Sequence, residues 1–127
     1  MTAIPTLFKE VFLLKPELHK DTRGSFLEAY KQEAFEQRIG RKIDFCQDNY
    51  TTSKKGVLRG LHYQLPPFSQ SKLVSVLRGT VLDVVVDIRK GSSTFGKHFS
   101  QELSAENQLQ LFVPRGFAHG YITLSED

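Results

Sequence analysis

Apolar and polar positions alternate with a period of two along most of this chain, which predicts strands rather than helices. The expected strands are Val11–Leu14, Ser25–Tyr30, Asp44–Thr51, Val57–Gln64, Lys72–Leu77, Thr80–Arg89, His98–Leu103, Gln108–Val113 and Gly120–Leu124. Asp21–Gly24, Pro66-Pro67, Arg78-Gly79, Gly91–Ser93 and Ala105–Asn107 supply turn residues between them. One segment breaks the pattern. In Lys31–Ile39, Phe35 and Ile39 stand four apart on one helical face, and Gly40 offers a left-handed cap. Many short strands and one short helix predict an all-β barrel or sandwich. The last strand runs straight into Ser125-Glu126-Asp127, so it is expected to leave an unpaired sheet edge.

Length changes this picture little: 127 residues make one domain, 1–127, with a modest core. No run of 18 apolar residues exists to span a membrane, and the N-terminus lacks the regions of a signal peptide. A single cysteine, Cys46, excludes an internal disulfide and a cysteine-based metal cluster, and fits a reducing cytoplasm; it is expected as a small core or strand residue. The net charge of +3 is mild and no Lys/Arg tract occurs, which argues against nucleic acid as a partner. A small anionic ligand, a phosphate ester or nucleotide, suits that balance.

The chemistry concentrates in Gly56–Gln64 and Pro114–Tyr121, each with a histidine, an arginine and glycines. Strict alternation puts His62 and Arg59 on opposite faces of their strand; for both to serve one pocket the strand must bulge, most cheaply at Gly60. An imidazole there can accept a proton from carbon near neutral pH, and a positioned base contributes about 10²–10⁴-fold. A core histidine satisfied by a hydrogen bond is the alternative. Lys72 opens a strand and can sit at a solvated rim or face an oxyanion. Asp83 lies deep in an apolar run and needs a partner, a histidine or lysine across the barrel, or else serves as a structural ion pair. Arg23, Phe26 and Glu28 surround the turn at Gly24, where arginine can fork to a phosphate and phenylalanine can stack on a base. Gln47 and Asn49 share a face of their expected strand and carry amides able to read ring edges. His19 and His98 have no supporting neighbours and read as surface or structural residues.

Gly56-x₅-His62 followed by Pro114-x-Gly116-x-x-His119 resembles the outline of the cupin barrel, a double-stranded β-helix or jelly roll. The usual metal set is broken: His62-Tyr63-Gln64 replaces His-x-His, and Leu65–Gln70 holds no carboxylate, so no metal is expected.

Asp21–Phe26, Gln47–Asn49, Gly56–Gln64, Lys72–Val74, Leu82–Arg89, Ser93–Gly96, Leu103–Asn107 and Pro114–Gly120 together resemble the dTDP-4-dehydrorhamnose 3,5-epimerase family, in family order over nearly the whole chain. The resemblance implies that His62 is the general base removing protons from C3 and C5 of a dTDP-4-keto-6-deoxyhexose in dTDP-L-rhamnose biosynthesis, and that Lys72 supports the enolate. It implies that Arg59 and His119 bind substrate, with Arg23, Phe26, Glu28, Gln47 and Asn49 holding the nucleotide sugar and Asp83 in a supporting role. No cofactor is implied, and the expected assembly is a homodimer whose N-terminal segments add to the partner's sheet. Family members continue past residue 127, where the general-acid tyrosine and an aspartate partner of the base occur. The chain is therefore expected to be C-terminally truncated, with little turnover as the 127-residue form, and Tyr121 does not inherit the acid's role. A single-position epimerase, a ketoisomerase and a non-catalytic dTDP-sugar-binding cupin remain alternatives.

Overall fold

Two antiparallel sheets face each other across an apolar interior. The computed structural model describes residues 1–67 and 69–126; Phe68 and Asp127 lie outside the described residues. In chain order the elements are β1 (Thr2–Pro5), β2 (Phe12–Lys15), β3 (Leu18–Asp21), β4 (Gly24–Leu27), α1 (Gln32–Ile39), β5 (Leu58–His62), β6 (Lys72–Ser75), β7 (Thr80–Asp87), β8 (His98–Ser104), β9 (Gln110–Val113) and β10 (Phe117–Thr123). One sheet runs β1-β2-β9-β6, the other β5-β10-β7-β8, and β3-β4 form a separate ribbon. This is the cupin-type jelly roll with one short helix.

The interior follows from the period-two faces. Leu13, Leu111 and Val113 of the first sheet meet Val85, Leu103 and Phe117 of the second, with Phe8 and Val11 closing the cluster. Opposite residues of an antiparallel pair project to the same side. Phe117, His119, Tyr121 and Thr123 stand opposite Asp87, Val85, Asp83 and Val81. All eight therefore share the interior face with Val85 and Phe117. On the first sheet, Lys72 and Val74 stand opposite Val113 and Leu111, so Lys72 also belongs to the interior face.

The outer face of the first sheet is covered by α1. Leu14 and Phe112 pack there with Phe35, Ile39 and Ile43. Gly40 ends the helix in the left-handed region, φ 75°, its N–H donating to the Glu36 carbonyl. At one end of the interior, buried Asp87 accepts from Arg89, Ser92 and Thr94, and Arg89 lies over the Phe117 ring and pairs with Glu10 at 3.0 Å.

Three expectations need correction. Asp44–Thr51 is irregular: Ile43 and Phe45 do alternate inward against Phe35, but the segment forms no ladder with any strand among the described residues. The last strand is not an edge. β10 is inserted between β5 and β7, so the edges of its sheet are β5 and β8. Cys46 is exposed on the irregular stretch instead of filling core. Apart from these, β1 pairs with β2 of the same chain, from Thr2 opposite Lys15 to Pro5 opposite Phe12, and forms one edge of its sheet. β1 and β3 had no sequence signal. Thr2–Pro5 is an edge strand ending in proline, and β3 is exposed at three of its four residues.

Candidate active site

The strand carrying His62 bulges where the spacing required it. His62 stands opposite His119 and Arg59 opposite Tyr121, so three steps along β5 match two along β10. The extra residue falls at Gly60-Leu61. His119 and Tyr121 share the interior face, and the bulge therefore brings His62 and Arg59 to that face together. Gly60 adopts φ +110°, a region side chains rarely enter, and a Cβ on Gly120 would stand 2.6 Å from the Arg59 carbonyl oxygen. The two glycines let the strands close at the bulge. β5 is an edge strand with all five residues exposed, so His62 stands at the open rim.

Deeper in, His119 Nε2 lies 2.7 Å from Asp83 Oδ1, and Asp83 is fully buried. The two are diagonal neighbours on β10 and β7, within reach across adjacent strands. The partner Asp83 required is thus a histidine on the neighbouring strand, with Lys72 of the opposite sheet near enough for its charge to be felt. Burial pushes the Asp83 carboxyl up from its ordinary value of 3.8; the hydrogen bond to His119, then the charges of His119 and Lys72, pull against that rise. Asp83 Oδ2 and Thr123 Oγ1 are buried without a hydrogen-bond partner among the described residues, which leaves polar capacity at this end of the interior.

Arg59 is held in place. Its Nε donates to Ser53 Oγ at 2.8 Å and its Nη2 to the Thr52 carbonyl at 3.4 Å, while Ser53 Oγ lies 3.1 Å from Tyr121 Oη. Sequence reasoning missed Ser53 and left Tyr121 without a role. Tyr121 was findable, since it shares the period-two face of His119. Ser53 precedes the strand in irregular chain and carries no pattern.

The other predicted site residues lie apart. Arg23 projects from the β3-β4 turn and pairs with Asp21 at 2.6 Å, holding that carboxyl below its usual range. Phe26 on β4 is exposed, its ring 6.4 Å from exposed His19, and Glu28 is exposed just beyond. Gln47 Nε2 donates to Asn49 Oδ1 at 3.0 Å on the irregular stretch. Among the described residues, no hydrogen bond or ion pair joins these five to Arg59, His62, Lys72 or His119. His98 is exposed on edge strand β8. No three His, Cys, Asp or Glu side chains gather as a metal-binding group among the described residues. No helix among them is long and apolar enough to cross a membrane.

The jelly roll thus brings His119 and Lys72 on its interior face together with His62 and an oriented Arg59 guanidinium at the exposed rim. The model of one family, described as dTDP-4-dehydrorhamnose 3,5-epimerase, matches residues 5–127. The dTDP-4-dehydrorhamnose 3,5-epimerase of Shigella flexneri is 52% identical over 127 residues, covering 100% of this chain and 70% of that protein. The Legionella pneumophila dTDP-6-deoxy-D-glucose-3,5-epimerase RmlC, solved in complex with dTDP-4-keto-L-rhamnose, superposes with a TM-score of 0.95 at 47% identity, over 98% of this chain and 66% of that one. A 3'-monoepimerase, ChmJ of Streptomyces bikiniensis, in complex with dTDP-quinovose, gives a TM-score of 0.91 at 34% identity over 100% and 63%. The chain belongs to the dTDP-4-dehydrorhamnose 3,5-epimerase family of isomerases.

Proposed function

We propose that this chain epimerises C3 and C5 of dTDP-4-dehydro-6-deoxy-D-glucose, giving dTDP-4-dehydro-L-rhamnose, with His62 as the base. The C4 ketone acidifies the hydrogens on both neighbouring carbons. The imidazole of His62 takes one proton, and the electron pair of the broken C–H bond moves into an enolate whose charge rests on O4. Lys72 projects to the same interior face and stabilises that charge. A proton returned to the opposite face of the carbon restores the ketone with inverted configuration. The reaction is redox-neutral and its protons balance.

Arg59, with its guanidinium oriented by Ser53, takes the anionic part of the nucleotide sugar, and His119 binds the sugar from beside His62. His119 is itself fixed by Asp83. Arg23, Phe26, Glu28, Gln47 and Asn49 close on the nucleotide from the β3-β4 ribbon and the irregular stretch. The reading extends to a homodimer in the cytoplasm, as the resemblance implies.

The observation that carries the proposal is the bulge that turns both Arg59 and His62 toward His119 and Tyr121. Incubating the 4-keto sugar nucleotide in deuterated water with the protein as its gene encodes it tests the reading. Solvent deuterium is expected at both C3 and C5. Label at one carbon only would place the chain with single-position enzymes such as the 3'-monoepimerase it also resembles. No label at either, from folded protein that binds dTDP, would leave a binding cupin.

A further inference from the structure

Ser53 carries a hydroxyl that meets both a cation and a phenol at the edge of the site. Arg59 Nε donates to Oγ at 2.8 Å, and Tyr121 Oη lies 3.1 Å from the same oxygen. A guanidinium is planar and presents its donors in a rigid fork. Fixing Nε, with Nη2 toward the Thr52 carbonyl, therefore fixes the whole plane. Nη1 has no hydrogen-bond partner among the described residues. The serine is anchored in turn. Gly56 N–H donates to the Thr123 carbonyl at 2.8 Å, Thr123 N–H to the Val57 carbonyl at 3.0 Å, and Lys55 N–H to the Glu126 carbonyl at 3.2 Å. These bonds tie the Ser53 segment to β10 and the residues just after it, the strand that carries Tyr121 and His119.

We propose that Ser53 is a positioning residue for anion binding: braced by Tyr121, its hydroxyl sets the plane of the Arg59 guanidinium so that the Nη1 edge meets the diphosphate of a nucleotide sugar. This rests on the assignment of Arg59 to substrate binding. An unbraced arginine on an exposed edge strand samples many rotamers and must be ordered when the ligand arrives. A guanidinium ordered beforehand escapes that cost, and the gain falls on the charged part of the ligand alone.

The test compares dTDP, by calorimetry, with thymidine, by ligand-observed NMR, on the protein as its gene encodes it. Ser53→Ala is expected to weaken dTDP roughly fivefold, the worth of one such hydrogen bond, and to leave thymidine unchanged. Ser53→Thr keeps the hydroxyl and should restore dTDP binding. Arg59→Ala should weaken dTDP by itself, and adding Ser53→Ala to it should cost nothing more. Tyr121→Phe should give a smaller loss confined to dTDP, and it serves as the test should Ser53→Ala fail to fold. Equal weakening of dTDP and thymidine by Ser53→Ala would reduce Ser53 to a structural role and overturn the inference. Unchanged dTDP affinity in Ser53→Ala, with Arg59→Ala weakened, would overturn it while leaving Arg59 in the site. Unchanged affinity in Arg59→Ala would remove both.

Discussion

Gly60 lies so close to Gly120 that a Cβ added to it would stand 2.7 Å from the Gly120 Cα and 2.8 Å from the His119 carbonyl oxygen. Both obstacles are backbone, and φ at Gly60 is +110°, so no side-chain adjustment relieves the clash. Gly60→Ala is expected to lower stability by about 1–3 kcal/mol, the range for overpacking a tight site. It should also weaken dTDP binding, because the bulge that turns Arg59 inward would open. Urea unfolding and dTDP calorimetry on the one variant check both effects. A variant as stable as its parent would mean that the close approach of the two strands is not required.

Asp83 predicts an unusual pH response. Its folded carboxyl is pushed above the ordinary value of 3.8, chiefly by burial, so the folded state holds this proton more tightly than the unfolded chain does. The contribution of Asp83 to stability is then fully present below pH 3.8 and is lost as pH rises through the folded pKa. Asp83→Asn keeps the shape and does not titrate. The melting temperature of this variant should gain on that of its parent as pH is raised from 4 to 7. A difference that stays flat or shrinks over that interval would contradict the account.

Asp87, on the same strand face, behaves with the opposite sign. Hydrogen bonding to the Arg89 guanidinium, helped by Thr94 and Ser92, holds its carboxyl well below the usual carboxylate range. Its contribution is present above pH 3.8 and lost as pH falls through the folded pKa. Arg89 is about one-third exposed, which softens the loss through solvent screening. Asp87→Asn should cost about 1.5–3 kcal/mol at pH 6, the range for a hydrogen bond to a charged group, and less at pH 3. Urea unfolding at the two pH values decides it.

The strands were legible where fully buried residues alternate along them, whereas β1, which only half-buries Ala3 and Ile4 against the core, was not. Thr80–Asp87 alternates Val81, Asp83, Val85 and Asp87 inward, and its predicted span of Thr80–Arg89 overran by two residues only. The helix was legible through Phe35, Ile39 and Gly40. Asp44–Thr51 misled because Ile43 and Phe45 alternate against a helix face, and periodicity reports burial without reporting who supplies the hydrogen bonds. The bulge at Gly60 was readable because two basic residues three apart cannot share a face of a regular strand. The Ser53 link was not, since it depends on chain folding back from an irregular segment to β10. The Asp83–His119 pair was half legible: a buried carboxylate announces the need for a partner, and only the register of β7 on β10 says which residue supplies it.

Proton abstraction by His62 is the step on which the proposed epimerisation depends. The measurement is solvent deuterium uptake into the 4-keto sugar nucleotide by His62→Asn, set beside its parent, with dTDP affinity and melting temperature recorded for both. The expected result is exchange at C3 and C5 reduced by about 10²-fold or more, with affinity and melting temperature near those of the parent. Exchange at the parental rate from the folded variant would contradict the claim and move the base to another residue.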